Sequence, residues 1–411
     1  MALILMAAYT NYRRDPRVRR EAEALVQAGH RVTFLARRQV GEPNRETVAG
    51  VEVVKLPGLT HRRTSIAGYM GDYAIFFALM SLHLLLHPLR YQLIHVNNMP
   101  DFLVFAAWLP RLFGTPVIHD VHDLMPELYL EKFAAGRAHW LVRGLEWQER
   151  WAGRFASAVL TVEERLKDIL SARGISREKI HVLMNLPDDR IFAPRGQMAA
   201  KPVDAAFVMV YHGTLAHRLG LDLAIEAAAI ARRSIQRLEL RIVGAGEERT
   251  HLLALRDRLG LQEVVTFSDG FVPVEQIPAL IRDADIGVIP LRISSGTDVM
   301  LPTKLLEYVL VGIPCIVPRT ATIARYFDDA MVRFFDAESV DSLAAAMVEL
   351  YSHPNRRSAL AEAATARFGS LYGWSEHKKV YTHLVAGLLG NEVCAEPANP
   401  VGRQPADRSS P

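Results

Sequence analysis

Side chains that could bind a phosphate follow a strand-like run in the second half of the chain. His212-Gly213-Thr214 comes directly after the run VMVY, and Arg218 lies four residues beyond Thr214. A glycine at the end of a strand lets the backbone approach a phosphate, and Thr214 can donate a hydrogen bond to it. Arg218 could pair with a diphosphate. The alternative is a strand–helix turn that requires glycine, with Arg218 in solvent.

The segment LPTKLLEYVLVGIPCIV, Leu301 to Val317, combines a short helix, a glycine stop and a strand. The loop from Ser294 to Leu301 precedes this helix, and the free N–H groups at the start of the helix favour an anion. Glu307, about one turn into the helix, is a good acceptor for the two vicinal hydroxyls of a ribose. The alternative is that Glu307 only complements the helix dipole and forms a surface pair with Lys304.

A segment rich in acids, DVHDLMPELY from Asp120 to Tyr129, follows the strand-like run PVIH. Its spacing does not match two metal ligands on one helix turn, and no second histidine cluster supports a metal site. His122 in the loop could instead hydrogen-bond a sugar hydroxyl or a phosphate. Loop and cap chemistry before a helix is the alternative. We therefore expect no metal.

A glycine-rich turn, VGAGEER from Val243 to Arg249, matches a dinucleotide fingerprint only in part. Gly244 and Gly246 form a GxG, but Arg249 holds the place of the third glycine. The segment predicts a tight turn more than a dinucleotide site, and we expect no cofactor.

Composition bounds the class of protein. The chain has 411 residues, half of them hydrophobic, which suits two domains with sizeable cores. The net charge of +3 arises from 48 basic and 45 acidic residues, and this balance gives no sign of a nucleic-acid partner. Cys315 and Cys394 are far apart, which argues against a disulfide framework or a zinc site and favours the cytoplasm.

Alternation of strand-like and helical runs organises the chain. Residues 1–189 and 205–365 each alternate in this way, and the segment 190–204 between them has lost the periodicity of a strand or helix. We predict an α/β fold of two Rossmann-like, doubly wound domains that face each other across a cleft. Residues 366–390 contain a further helix that crosses back to the first domain, and the Pro-rich tail 391–411 is predicted to be disordered.

Basic residues near an apolar helix raise the question of a membrane. Five arginines lie near the end of the first strand, in the segment NYRRDPRVRR. The pair Asp15-Pro16 in the same segment predicts the start of a helix. His61-Arg62-Arg63 precedes the apolar run from Tyr73 to Leu86, which is too short to span a bilayer. The two interpretations are peripheral contact with an anionic membrane and a solvated basic face.

The motifs, in their order along the chain, resemble those of the family-4 retaining glycosyltransferases of the GT-B fold. The resemblance covers residues 1 to 390, through DPRVRREAEALVQAGHRVTFLA, DVHDLMPE and VLMNLPDD in the first half. In the second half, the resemblance rests on the motifs YHGTLAHRLGLDLAIEA, LRIVGAGEE, FSDGFVP and PTKLLEYVLVGIPCIV. It implies transfer of a sugar from a nucleotide diphosphate sugar, with retention at the anomeric carbon. The co-substrate would bind the second domain, and a glycan, a lipid-linked glycan or a small metabolite would be the acceptor.

The resemblance also implies roles for particular residues. Glu307 matches the ribose-binding glutamate, Gly213 and Thr214 match the phosphate turn, and His122 matches a histidine that lines the donor sugar. Val272 falls where the backbone contacts the base. Backbone N–H groups that meet the pyrophosphate or sugar would belong to Val299, Met300 and Leu301.

Three positions depart from the family pattern. The first glutamate of its E-x7-E pair would fall at Val299, with Asp298 adjacent, and its two basic residues would fall at Thr214 and Leu219. Arg218 and Lys304 are the candidates to replace those cations. These departures motivate two alternatives, namely a non-catalytic nucleotide-sugar-binding protein and a nucleotide-sugar epimerase on the same fold.

Overall fold

The computed structural model describes residues 1–58, 66–133, 139–196, 202, 205–368 and 373–390. They divide into two compact units, one reaching Asn185 and including the chain from Glu376, the other spanning Leu186–Ser375. Phe192 and Arg195 pack within the second unit, where Arg195 N–H donates to Val311 O. The cluster His61-Arg62-Arg63, residue Cys394, most of the segment 197–204 and the tail 391–411 lie outside the described residues.

The first unit is built on an eight-stranded sheet with the order β3-β4-β2-β1-β5-β6-β7-β8. All neighbouring strands are parallel except β3 and β4, which pair antiparallel. The strands are β1 (Leu3–Ala7), β2 (Arg31–Arg37), β3 (Arg45–Val48), β4 (Val51–Leu56), β5 (Leu93–Asn97), β6 (Val117–Val121), β7 (Ala158–Thr161) and β8 (Ile180–Val182).

Helices connect these strands as parallel pairing requires. They are α1 (Pro16–Gln27), α2 (Ile66–Leu86), α3 (Trp108–Leu112), α4 (Met125–Phe133), α5 (Trp140–Phe155) and α6 (Glu164–Ala172), with 3-10 helices at Tyr12–Arg14, Asp101–Ala107 and Arg177–Lys179. The last helix of the chain, α14 (Trp374–Leu388), connects no strands, and its residues from Glu376 belong to this unit. The predicted start of α1 is confirmed, since Pro16 is its first residue and the Asp15 side chain accepts from Arg17 N–H at 3.2 Å.

One core cluster fills the space between the sheet and several of these helices. Phe76, Met80 and Leu84 of α2 belong to it, together with Leu103 and Val104 of the 3-10 helix Asp101–Ala107, and Ala152 of α5. Leu5, Ile94 and Val117 contribute from the sheet. The three helical segments therefore form one layer over the same face of the sheet.

The second unit contains a six-stranded, wholly parallel sheet with the order β11-β10-β9-β12-β13-β14. Its strands are β9 (Phe207–His212), β10 (Leu238–Val243), β11 (Val265–Phe267), β12 (Ile286–Val288), β13 (Cys315–Pro318) and β14 (Arg333–Phe335). Its helices are α7 (Leu221–Ala231), α8 (Arg249–Arg258), α9 (Ile277–Ile281), α10 (Thr303–Val311), α11 (Ala321–Tyr326), α12 (Val340–Ser352) and α13 (Pro354–Phe368), with 3-10 helices at His217–Leu219 and Val274–Gln276.

The prediction of an α/β fold with two parallel-sheet domains is confirmed. In open parallel sheets, ligands bind beyond the carboxyl ends of the strands. The residues that follow β1, β5 and β6 in the first unit, and β9 and β10 in the second, therefore define where each unit can bind. Among the described residues, no helix combines the length and apolar character needed to cross a membrane.

Candidate active site

Lys304 lies against the turn that follows β9. Its Nζ donates to the Tyr211 hydroxyl at 3.1 Å and lies 4.5 Å from the centre of the Tyr211 ring. A Cβ on Gly213 would meet Lys304 Nζ at 3.3 Å, and Gly213 has a φ of 125°. The predicted phosphate turn and a cation are thus adjacent. A lysine held over a ring beside a glycine turn is suited to a diphosphate.

The turns after β9 and β10 pack directly on each other. Gly213 N–H donates to Val243 O at 2.9 Å, and Leu215 N–H donates to Ala245 O at 3.0 Å. A Cβ on Gly244 would lie 1.9 Å from Gly213 O. The GxG of β10 therefore supports the turn of β9 by close backbone contact, which agrees with its prediction as a tight turn.

Glu307 is oriented toward the end of β9. It is the fifth residue of α10, beyond the four N–H groups that carry most of the helix dipole. Its Oε2 lies 3.1 Å from His212 Nε2, and its side chain is 12% exposed. Favourable interaction with the helix dipole therefore explains the position of Glu307 poorly. Its carboxylate lies instead beside the turn that contains Gly213.

His212 is a neutral imidazole in this arrangement. Burial, together with the charge of Lys304, lowers its pKa to about 3. Its Nε2 lacks the alignment for a hydrogen bond within the described part of the chain, despite the short distance to Glu307. The backbone N–H of His212 donates to the Tyr308 hydroxyl at 3.2 Å, and that hydroxyl donates to Val210 O at 3.1 Å. The strand end is therefore fixed by α10.

The loop before α10 is held by its own hydrogen bonds. Thr297 Oγ1 accepts from Ser294 N–H at 2.8 Å and donates to Arg292 O at 2.6 Å. Met300 N–H donates to Thr297 O at 3.1 Å, so a ligand would have to replace that bond to use it. Val299 and Leu301, on either side of Met300, are half-buried.

Asp298 serves the start of α11. One of its carboxylate oxygens accepts from Ala321 N–H at 2.9 Å, and its carbonyl accepts from Thr322 Oγ1 at 2.8 Å. Ala321 is the first residue of α11. The acid next to Val299 thus has a structural role at a helix start.

The remaining predicted residues of the second unit surround the same strand ends. Thr214 is exposed, and its carbonyl accepts from the Tyr211 hydroxyl at 2.7 Å. Arg218 is half-buried in the 3-10 helix His217–Leu219, where its carbonyl accepts from Arg292 N–H at 3.1 Å. Val272 is half-buried in the loop beyond β11.

His122 lies at the carboxyl end of β6 in the first unit. Its Nε2 is 3.0 Å from Asp120 Oδ2 and 3.2 Å from Asn97 Oδ1, and its backbone N–H donates to Asn98 Oδ1 at 3.0 Å. Both neighbours of Nε2 are acceptors, so the proton belongs on Nε2. The ring is therefore fixed in orientation before any ligand binds.

A buried chain of polar groups supports Asp120. His95 Nε2 is 3.3 Å from Asp120 Oδ2, and His95 Nδ1 is 2.7 Å from the Tyr381 hydroxyl on α14. Burial would raise the pKa of Asp120, but His122 and His95 hold it well below its usual range. Burial raises the pKa of Glu21 well above its usual range, and the charge of Asp120 adds to that effect.

Glu21, Asp120 and His122 could hold a metal ion by distance alone. Their ligand atoms all lie within 4.8 Å of one another. The spacing in sequence could not reveal this group, because Glu21 comes from α1. The raised pKa of Glu21 favours the protonated form of this carboxyl group. The proton lowers the negative charge that would attract a cation.

A pocket of about 130 Å³ opens beside His122. Residues that follow β1, β5 and β6 line it, including Tyr9, Thr10, Asn98, Met99, His122 and Asp123. Asp15 and Arg17 also line it, with Arg17 Nε 3.0 Å from Asp15 Oδ1. Hydroxyl, amide, carboxylate and guanidinium groups converge there, which suits a ligand with many hydroxyl groups.

Arginines near α1 have partners within the first unit. Arg13 pairs with Glu46 at 2.9 Å, and Arg19 pairs with Glu23 at 3.4 Å. Arg20 is buried and donates to Asn185 Oδ1 at 2.6 Å. With Arg17 paired to Asp15, this segment is not the open basic face that its sequence suggested.

Several residues of the site were absent from the sequence predictions. Tyr211, Asn97, His95 and Glu21 each touch a predicted residue or its partner, and His212 was noted only as part of its turn. The signal available for Tyr211, His212 and Asn97 was their place at the end of a strand. Nothing in the sequence connects Glu21 with Asp120, because their contact depends on how α1 packs.

Two parallel-sheet units with polar groups at the carboxyl ends of their strands define a GT-B-like architecture. Residues 15–185 match the glycosyl transferase 4-like domain, and residues 199–367 match the glycosyl transferases group 1 family. The α-D-kanosaminyltransferase of Streptomyces kanamyceticus is 28% identical over 277 residues, which is 60% of this chain and 71% of that protein.

Two solved structures share the fold. A sucrose-phosphate synthase from Thermosynechococcus elongatus has a TM-score of 0.77 and 18% identity, covering 95% of this chain and 100% of that one. HepE of Anabaena, in complex with UDP-glucose, has a TM-score of 0.68 and 15% identity, covering 94% of this chain and 100% of that one. The chain belongs to the family-4 glycosyltransferases of the GT-B type.

Proposed function

We propose that the protein is a retaining hexosyltransferase that uses a nucleotide diphosphate sugar. The adjacency of Lys304, Gly213 and the His212–Glu307 pair at the end of β9 carries this proposal. Glu307 would accept hydrogen bonds from the two ribose hydroxyls, while Lys304 and the Gly213 turn would meet the diphosphate. The complex of HepE with UDP-glucose supports a donor of this chemical class.

The proposed chemistry depends on charge at the departing phosphate. Breaking the bond to the anomeric carbon leaves negative charge on the nucleotide diphosphate, which Lys304 and Arg218 would stabilise. The departing phosphate would take the proton of the acceptor hydroxyl, so that no separate general base is required. His122, fixed by Asp120 and Asn97, would line the donor sugar. We propose no metal and no cofactor beyond the co-substrate.

The acceptor is proposed to be a glycan, a lipid-linked glycan or a small metabolite. The pocket beside His122 supports a polyhydroxylated group, because its lining combines hydrogen-bond donors and acceptors. We place the reaction in the cytoplasm, at the inner face of the membrane, in keeping with the reduced, buried thiol of Cys315.

The function is tested with UDP-, GDP- and ADP-sugars in transfer and hydrolysis assays. We expect turnover with at least one donor, an α-linked product from an α-linked donor by NMR, and loss of activity in Glu307→Gln. Calorimetric binding without turnover would identify a binding protein, and a changed sugar without an acceptor would identify an epimerase. No turnover with any donor would contradict the proposal.

A further inference from the structure

The exposed side of α5 alternates tryptophan and arginine. Trp140, Trp147 and Trp151 are 73%, 63% and 45% exposed, which is unusual for a side chain that is highly buried on average. Arg143 and Arg150 are exposed between them, and Arg154 is exposed after Trp151. Spacings of three and four residues place all six on one side of the helix. We call this set the Trp/Arg stripe.

Both acidic residues of α5 lie near Arg173. Glu149 is 1% exposed and pairs with Arg173 Nη1 at 3.0 Å, and Glu146 lies 3.8 Å from Arg173 Nη2. The outer side of α5 thus carries positive charge without acids among its exposed residues. Such a side attracts a surface of negative charge, and the tryptophans add apolar area to that attraction.

An apolar shelf continues the stripe over the same helical layer. The shelf consists of the exposed side chains Leu82, Leu85, Leu86 and Leu89 at the end of α2, with Trp108, Leu112 and Phe113 at α3. Arg111 connects α3 to the end of α5, since it donates to Ser157 Oγ at 2.7 Å and lies over the Phe155 ring. Because α2, the 3-10 helix Asp101–Ala107 and α5 share one core over one sheet face, their outer sides point away from the sheet together.

A basic groove of about 460 Å³ lies at the end of the stripe. Arg154, Arg177 and Lys179 line it together with Ser171 and Ser176. Asp168 pairs with Arg177 at 2.7 Å, which leaves Arg154 and Lys179 to supply the positive charge. Hydroxyl donors beside two cations suit a phosphate group.

We propose that the Trp/Arg stripe and the apolar shelf dock on a bilayer that contains anionic phospholipids. In this arrangement the tryptophans would lie at the headgroup level, the leucines below it and the arginines against the phosphates. This is the composition of protein surfaces at membrane interfaces. A second copy of the chain fits poorly, because a two-fold contact would bring the arginines of both copies together. The proposal goes beyond glycosyl transfer and would place the first unit beside a lipid-linked acceptor.

The test is co-sedimentation of the full chain with vesicles, without donor or acceptor. We expect binding to vesicles of phosphatidylcholine with phosphatidylglycerol, and weaker binding to phosphatidylcholine alone. R143Q/R150Q/R154Q should lower partitioning into the anionic vesicles about a hundredfold, at about 1 kcal/mol for each arginine. W147S/W151S should lower binding to both kinds of vesicle. The matched control R233Q/R258Q/R282Q removes three exposed arginines from the second unit and should bind like the wild type.

Tryptophan fluorescence provides a second measurement. Trp108, Trp140, Trp147 and Trp151 lie on this surface, and the fifth tryptophan, Trp374, is buried. Anionic vesicles should therefore shift the emission to shorter wavelength, and the shift should shrink in W147S/W151S. Wild-type protein that stays in the supernatant would overturn the proposal, as would stripe variants that bind like the wild type. Self-association that the stripe variants abolish would assign the surface to a second copy. None of these outcomes depends on whether the protein transfers sugar.

Discussion

His212 Nε2 lies 3.1 Å from Glu307 Oε2, which joins the end of β9 to α10. The imidazole is buried and neutral, so it limits the positions of the carboxylate without neutralising its charge. The imidazole therefore adds no positive charge that would compete with hydroxyl donors for Glu307. Tyr308, next to Glu307, ties α10 to the same strand through its hydroxyl.

His212→Phe should weaken nucleotide binding through Glu307. The change keeps a ring of similar size but removes the nitrogen atoms that lie beside the carboxylate. We expect a loss of about 1 kcal/mol, or roughly fivefold in Kd, because the carboxylate loses a polar neighbour at close range. Calorimetry with nucleoside diphosphates measures it, with His251→Phe on the exposed side of α8 as the control. If His212 acts through Glu307, then H212F/E307Q should bind no more weakly than E307Q. Additive losses would contradict this coupling.

The pKa of His212 predicts how stability changes with pH. Its pKa of about 3 in the folded chain lies below its value of 6.5 in the unfolded chain. As pH falls below 6.5, His212 is protonated in the unfolded chain but stays neutral in the folded chain, which lowers the stability of the folded state. The contribution of neutral His212 to the free energy of unfolding is fully present above pH 6.5. Between pH 6.5 and pH 3 it decreases by up to about 1.4 kcal/mol per pH unit. Urea unfolding between about pH 5 and pH 7 should show a shallower decline for His212→Phe than for the wild type. Equal slopes would show that His212 titrates normally in the folded state.

Gly244→Ala should destabilise the second unit strongly. The new Cβ would lie 1.9 Å from Gly213 O, and the backbone there has a φ of 140°. Because the clash is with backbone, the turn after β9 must move, and we expect a loss of more than about 3 kcal/mol in unfolding free energy. Gly260→Ala is the control, since its φ is 63° but no atom lies within 4 Å of the new Cβ. Backbone strain alone should cost about 1–2 kcal/mol there. Thermal unfolding that ranks the two variants the other way would contradict the packing of these turns.

Lys304→Met should lower kcat much more than it changes KM. The methionine keeps apolar contact with the Tyr211 ring but removes the charge that would stabilise the departing phosphate. Loss of one such group typically lowers kcat about 10²- to 10³-fold. Steady-state kinetics with the preferred donor measures the effect, and Lys304→Arg should recover part of it. A change confined to KM would instead assign Lys304 to ground-state binding of the nucleotide.

Local patterns explain why much of the fold followed from the sequence. Strand and helix periods, Asp15-Pro16 at the start of α1 and Gly312 after α10 each act within a few residues of chain. The ends of β9 and β6 and the start of α10 also followed, so that Gly213, His122, Lys304 and Glu307 could be named as candidates. These positions could be predicted because short-range geometry limits where a strand or helix can begin and end.

Contacts between distant segments were decided only by the tertiary structure. Strand order and helix packing bring Glu21, His95 and Tyr381 to Asp120, and they pair Arg13 and Arg20 within the first unit. The sequence determined which residue types stand at the strand ends. Packing decided that Asp298 caps α11, that Glu307 meets His212, and that the tryptophans of α5 remain exposed. Spacing along a chain carries no record of such neighbours, because they depend on which elements pack side by side.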